Sequence, residues 1–200
     1  MSEVDVSDVA QLAIPTDRRK FRNALGCFAT GITIITARGP RDEMIGLTAN
    51  SFNSVSMDPP LVLFSLSRSA FSLKALLSTD HFCINVLSDG QRALADRFAR
   101  VSEDKWSAME HEVTGTGCPV LPGCLATFEC RNHHTYDGGD HVIFVGNVFS
   151  MRCSPDRHPF HVERDQGQRS WRWRVAGVPL TRMQIVVALD DQVATFSGNE

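Results

Sequence analysis

The sequence predicts a mainly β protein with some α: an antiparallel barrel carrying a few covering helices. Three observations predict it. Strand-like segments outnumber helical ones, turn signals lie close together, and no regular strand–helix–strand alternation runs along the chain. The missing alternation argues against a doubly wound parallel sheet. The chain has 200 residues, a length that suits one domain with a sizeable core.

Each element can be justified in turn. Residues 1–15 are acidic, end in Pro15, and read as a loosely docked arm. Phe21, Ala24, Leu25 and Phe28 then recur at i, i+3, i+4 and i+7, the apolar stripe of a first helix. Thr16 or Asp17 is its expected N-cap, and Gly31 its expected left-handed end. Ile32-Thr33-Ile34-Ile35-Thr36 is a β-branched strand closed by the turn residues Gly39-Pro40-Arg41-Asp42. From Gly46 to Ser56, small and hydroxyl side chains stand where a core strand normally carries bulk. Asp58-Pro59-Pro60 is a rigid turn, and Leu61-Val62-Leu63-Phe64 is a buried strand leaving it. Residues 69–78 read as helix, with Leu73, Leu76 and Leu77 on one side, and residues 81–87 as strand. Ser88 and Gln91 fit a capping box, opening a helix whose apolar face holds Leu94, Phe98 and Val101. Turns cluster from Cys118 to Gly123. Two long strands, 125–136 and 141–151, then bracket Asp137-Gly138-Gly139-Asp140.

Composition narrows the function. Twenty Lys+Arg against 23 Asp+Glu give a net charge of −3, which offers no global attraction for nucleic acid. No apolar run approaches the roughly 18 residues of a membrane span. The start, Met1-Ser2-Glu3-Val4-Asp5, lacks the basic-then-apolar profile of a secretory signal, so a cytoplasmic location is expected. The six cysteines form no C-x-x-C pair and are expected as free thiols, mostly buried. Cys130, His133, His134 and His141 are metal-capable, but successive strand residues face opposite sides. His133 and His134 are therefore not expected to share an ion, and no metal site is expected.

Three segments have chemical potential. Ser65-Leu66-Ser67-Arg68-Ser69-Ala70-Phe71-Ser72-Leu73-Lys74 puts four serines and two cations where a strand hands over to a helix. Such a junction either caps a helix or holds an anion, phosphate being its natural occupant. Thr48-Ala49-Asn50-Ser51, continuing to Ser54 and Ser56, admits a flat ligand close to the backbone and offers amide and hydroxyl partners. Taken alone, the segment reads rather as a polar strand-to-loop stretch whose side chains bond locally. Gly139-Asp140-His141 sets an imidazole beside a two-glycine turn, facing either a pocket or solvent. No G-x-S-x-G elbow, G-x-G-x-x-G loop or P-loop occurs.

Taken in order, these segments resemble the flavin reductase family, the reductase halves of two-component flavin-dependent monooxygenases. The matching signatures are F-R-N-A-L-G-C-F-A-T-G-I-T-I-I-T at 21–36 and G-L-T-A-N-S-F-N-S-V-S-M-D-P-P-L-V-L at 46–63. They continue with F-C-I-N-V-L at 82–87, G-C-P-V-L-P-G at 117–123 and G-D-H-V-I-F-V-G-N-V at 139–148. The resemblance implies an antiparallel split β-barrel, the FMN-binding split barrel, forming a homodimer with FAD or FMN near the subunit interface. It implies that Thr48, Ala49, Asn50 and Ser51 line the isoalloxazine, with Ser54 and Ser56 nearby. Ser65, Ser67, Arg68, Ser69, Ser72 and Lys74 match the segment at the phosphate end. Asn85, Val86, Leu87 and Phe98 match positions contacting the flavin or its adenylate part. His141 matches the histidine beside the nicotinamide of NADH, or of NADPH, and is read as its positioner. The implied activity is hydride transfer from nicotinamide to flavin, feeding a separate monooxygenase of aromatic, phenol-type compounds.

Two alternatives remain open at this level. One is a non-catalytic flavin-binding sensor or storage protein, the other a split barrel for haem or pyridoxal-type ligands. The family domain is expected over 16–158. Residues 159–200 diverge, because Pro159-Phe160-His161-Val162-Glu163-Arg164-Asp165-Gln166-Gly167 departs from the family's closing strand. An apolar strand over 183–189 is a candidate replacement.

Overall fold

A computed structural model describes residues 16–164, apart from 103, 155 and 159, together with 171–174. The expected arm over 1–15 and the strand over 183–189 lie outside the described residues. Among the described residues twelve strands and three α-helices follow one another. They are α1 (Arg18–Leu25), β1 (Thr30–Gly31), β2 (Thr33–Arg38), β3 (Met44–Ala49), β4 (Asn53–Met57) and β5 (Pro60–Ser67). Next come α2 (Leu73–Leu77), β6 (His81–Val86), α3 (Arg92–Ala99), β7 (Glu112–Val113) and β8 (Pro119–Val120). The long pair β9 (Ala126–Gly138) and β10 (His141–Cys153) precedes β11 (His161–Arg164) and β12 (Trp171–Arg174).

Seven strands form one antiparallel sheet in the order β3-β2-β6-β9-β10-β5-β4. The sheet curls about a shared core. Leu47 of β3 and Phe64 of β5, from strands far apart in that order, join Phe82, Phe144 and Leu76 in one apolar cluster. Phe64 stacks on Phe144 at 5.0 Å and meets Phe82 edge-on at 5.3 Å. Each such pair adds ~0.5–1.5 kcal/mol to the burial of its rings.

β2 explains why helices cover one side. Thr33–Ala37 is buried throughout, with Ile35 and Ala37 in the first cluster and Ile32 and Ile34 in a second. That second cluster is roofed by Ala95 and Phe98 of α3, with Leu121 and Phe160. A strand buried on both faces reads as a continuous β-branched run, as this one does. The capping box of Ser88 and Gln91 is present, on the 3-10 turn Asp89–Gln91 that leads into α3: Ser88 N donates to Gln91 Oε1 at 3.0 Å, and the Ser88 hydroxyl donates to Gly123 O.

Four expectations need correction. Asp17 caps α1 through Oδ1, but the helix ends at Gly26 in right-handed geometry, and Gly31 sits in β1 opposite His161. The apolar stripe of α1 is exposed rather than packed, with Phe21 at 48%, Leu25 at 59% and Phe28 at 76%. Helix α2 has only five residues and leaves Leu77 exposed, while α3 stops before the exposed Val101. Finally, the β9–β10 register shifts between Val145↔His134 and Gly146↔Asn132, so His133 is an extra residue in β9. This bulge brings the His133 and His134 rings to 4.5 Å, where simple alternation would have separated them.

Candidate flavin site

A cavity of ≈ 500 Å³, ordinary for a small-molecule site, opens where β3, β5 and the β9–β10 turn converge. Leu47, Thr48 and Ala49 of β3, with Asn50 and Ser51 after it, make one wall. Ser65, Leu66 and Ser67 at the end of β5 make the second, and Gly138, His141 and Ile143 the third. Among the described residues the lining contains no carboxylate.

The walls are tied together by the same hydroxyls that line them. Ser51 Oγ accepts from Ser65 N at 2.9 Å and donates to Ser65 O at 3.1 Å, pinning the β3–β4 connection onto β5. Thr48 Oγ1 donates to Ala95 O at 2.7 Å, holding β3 against α3. Ser67 stands directly opposite His141 in the β5–β10 ladder, and its Oγ lies 2.8 Å from Ser69 Oγ.

The β9–β10 turn that presents His141 is short and held at several points. Gly139 and Asp140 form a two-residue loop between the paired Gly138 and His141. Gly139 has φ +75°, a region costly for any residue with a Cβ. Its amide donates to Asp137 Oδ1 at 2.9 Å. Arg68 donates from Nε to Gly139 O at 2.8 Å and pairs through Nη2 with Asp137 Oδ1 at 2.9 Å, while Arg68 N donates to Asp140 O. His141 Nδ1 lies 2.7 Å from Asp140 Oδ1. The carboxylate makes Nδ1 the protonated nitrogen and leaves Nε2 free of that contact. Hydrogen bonds from Arg68 and the Gly139 amide hold the Asp137 carboxyl below its ordinary range. The bond from His141, with its charge, does the same to Asp140.

Seven of the expected residues thus meet at one cavity: Thr48, Ala49, Asn50, Ser51, Ser65, Ser67 and His141. Arg68 and Ser69 stand beside it, through the turn and through Ser67. Ser54 and Ser56 lie on the edge strand β4, and Ser72 and Lys74 at the start of α2, outside the lining. Val86 is half-buried at the end of β6. Asn85, Leu87 and Phe98 are not brought to the cavity; all three side chains are buried in the interior. Asn85 donates to Ile34 O and Thr36 Oγ1 and accepts from Leu121 N, so its amide is fully used. Sequence reasoning did not single out Leu47, Leu66, Gly138 or Ile143. Ile143 and Leu47 had a signal, since each stands two residues along a strand from an expected site residue, His141 and Ala49, and shares its face.

Comparison with known proteins bears on what such a cavity holds. A family model described as the flavin reductase like domain matches residues 25–170. The chain belongs to the flavin reductase-like domain family. An FMN reductase (NADH), SmoA, of Agrobacterium fabrum is 48% identical to this family member over 130 residues, 65% of this chain and 74% of its own. The solved NADH:FAD oxidoreductase of Streptomyces globisporus, in complex with NAD and FAD fragments, superposes with a TM-score of 0.72 at 37% identity. That superposition covers 77% of this chain and 93% of the other. The reductase subunit of a stachydrine N-demethylase from Rhizobium meliloti is 41% identical over 69% of this chain. The match spans 60% of that relative's length, and 44% of a probable flavin reductase from the same organism.

Proposed function

We propose that this flavin reductase family member catalyses NADH-dependent reduction of FMN or FAD and passes the reduced flavin to a separate monooxygenase of aromatic, phenol-type compounds. One observation carries the reading. The small-residue segment Thr48–Ser51, the hydroxyl segment ending β5, and His141 all line one cavity. Its donor set suits the ligand, because hydroxyls, an amide and an imidazole without any carboxylate accept a neutral polar ring and an anionic tail. Gly138 keeps one wall low: a Cβ there would meet Ile143 Cγ1 at 3.0 Å.

In this reading Thr48, Ala49, Asn50 and Ser51 hold the flavin ring, with Ser54 and Ser56 beyond them. Ser65, Ser67, Ser69 and Arg68 meet the phosphate end, and Ser72 and Lys74 extend it. Arg68 spends Nε and Nη2 on the turn, which leaves Nη1 for a phosphate. Hydride transfer from nicotinamide to flavin is the chemistry the two cofactors supply when bound. The chain's own work is placement: small side chains let the rings stack, and His141 steadies the nicotinamide through Nε2. No strong acid or base is required of the protein.

The curled sheet is read as a closed split barrel, since β3 and β5 share one core and Ser51 bridges them. Two copies are read as pairing, because the exposed stripe Phe21, Leu25 and Phe28 gains from a cover. No described helix is long and apolar enough to cross a membrane. Six free cysteines fit a reducing, cytoplasmic setting.

The test is NADH oxidation by the full-length protein with and without FMN or FAD. Turnover saturating in one flavin supports the reading and names the preferred cofactor. Flavin binding without oxidation of NADH or NADPH replaces it with the sensor or storage alternative. His141→Ala is expected to raise KM for NADH more than it weakens flavin affinity, and an equal loss of flavin binding removes the positioning role.

A further inference from the structure

We propose that Asp137, acting through Arg68, is a positioning residue that fixes the β9–β10 turn and so sets where His141 stands in the cavity. The proposal rests on the reading of His141 as the residue beside the nicotinamide.

The geometry is specific. The Asp137 carboxylate gathers two donors on one oxygen, the Gly139 amide at 2.9 Å and Arg68 Nη2 at 2.9 Å. The guanidinium also donates to Gly139 O, so Arg68, next after β5, and Asp137 of β9 hold the carbonyl and the amide of the same residue. The backbone of Arg68 adds a third tie, to Asp140 O. Asp140 is the residue whose carboxylate fixes the His141 ring, so the chain of contacts runs unbroken from Asp137 to the imidazole.

Stability does not account for this arrangement. The side chains of Arg68 and Asp137 are 48% and 77% exposed, and exposed ion pairs contribute little to folding. A planar fork that bonds a carbonyl and a carboxylate together defines orientation, which a single ammonium cannot do. Asp137 adjoins the lining residue Gly138 but does not itself line the cavity, which favours a positioning role over direct contact with a ligand.

The experiment uses the full-length protein with Asp137→Asn, His141→Ala and the double variant. Asp137→Asn is expected to raise KM for NADH about two- to fivefold, the scale of an exposed ion pair. The expected kcat at saturating NADH is that of the parent, and FMN affinity by fluorescence quenching falls much less than in Arg68→Ala, because the Nη1 read as meeting the phosphate stays in place. In the His141→Ala background, Asp137→Asn is expected to add nothing to KM for NADH. Additive effects on that KM, or a loss of FMN affinity in Asp137→Asn as large as in Arg68→Ala, overturn the proposal. A second readout needs no cofactor. In flavin-free protein the imidazole cross-peak of His141, identified by its loss in His141→Ala, shifts in Asp137→Asn while the other histidines stay put. An unshifted peak also overturns the clamp. A shifted peak with an unchanged KM in His141→Ala leaves the clamp standing and removes the nicotinamide role beneath it.

Discussion

Asn85→Ala separates structural from flavin-binding roles at a position where the family signature and the fold point different ways. Asn85 is fully buried, and its amide holds three groups: Ile34 O at 3.1 Å, Thr36 Oγ1 at 3.0 Å and Leu121 N at 3.1 Å. Alanine strands the Leu121 N–H in the interior, at a cost of ~1–3 kcal/mol. Thr36 Oγ1 loses a donor but keeps its own bond to Pro119 O, so its share is small. The vacated side-chain volume adds to this, and the total is ~2–4 kcal/mol. At ~2–4 °C per kcal/mol for a domain of this size, Tm falls by ~4–16 °C. Calorimetry of the flavin-free protein reads the shift, and flavin fluorescence quenching on the folded variant reads Kd. The expected result is a large fall in Tm with Kd close to the parent. A Tm within ~2 °C of the parent together with lost flavin affinity would refute the reasoning and return Asn85 to the flavin site.

Three further outcomes are expected. Gly146→Ala drives a Cβ to 2.5 Å from Phe82 Cζ and 2.9 Å from Cys130 Cβ, and costs ~1–3 kcal/mol in urea unfolding; parental stability would show that the core yields there. Arg68→Ala loses both the turn and the phosphate contact, so it weakens flavin binding by ~1.5–3 kcal/mol as well as raising KM for NADH; an unchanged flavin Kd takes Arg68 out of the phosphate end. The Asp137 carboxyl titrates below an unstructured aspartate in ¹³C NMR, chiefly through the hydrogen bond from Arg68. Because its folded value is depressed, its contribution is full above the unfolded value of about 3.9 and fades as pH falls through the folded one. A midpoint at or above the unfolded value denies the Arg68 contact in solution.

Local signals were legible wherever one strand or one turn decided them. β9 and β10 follow from alternation either side of Asp137-Gly138-Gly139-Asp140, and β2 from a β-branched run buried on both faces. What pairs with what was not legible. Periodicity marked Phe21, Leu25 and Phe28 as an apolar stripe, but periodicity does not say what covers a stripe, and among the described residues all three stay exposed. The bulge at His133 belongs to the pairing of β9 with β10, which the sequence of neither strand displays alone. The site shows the same division. Thr48–Ser51, Ser65–Ser67 and His141 each carried a local hint, whereas the pairing of Ser67 with His141 is set by the β5–β10 register.

The interior residues of the family signature act on the site from behind its wall. Phe98 lies against Gly46, where a Cβ would run into the ring, so β3 can approach α3 only because that position has no side chain. Two residues along, Thr48 bonds the carbonyl of Ala95 on the same helix. Lys105 closes the joint, donating to Gly46 O and Phe98 O at 3.2 and 3.1 Å, and burial lowers its ammonium's affinity for the proton. Leu87 belongs to the same cluster as Phe98, and Asn85 fastens Leu121 of that cluster to β2. The cavity face of β3 is thus located by packing on its opposite face. Substitutions at Phe98 or Gly46 are therefore expected to move Thr48 and Ala49 of the cavity wall, so that ligand binding there and stability change together. Substitutions at the β9–β10 turn are expected to reach the other wall, through His141, Gly138 and Arg68.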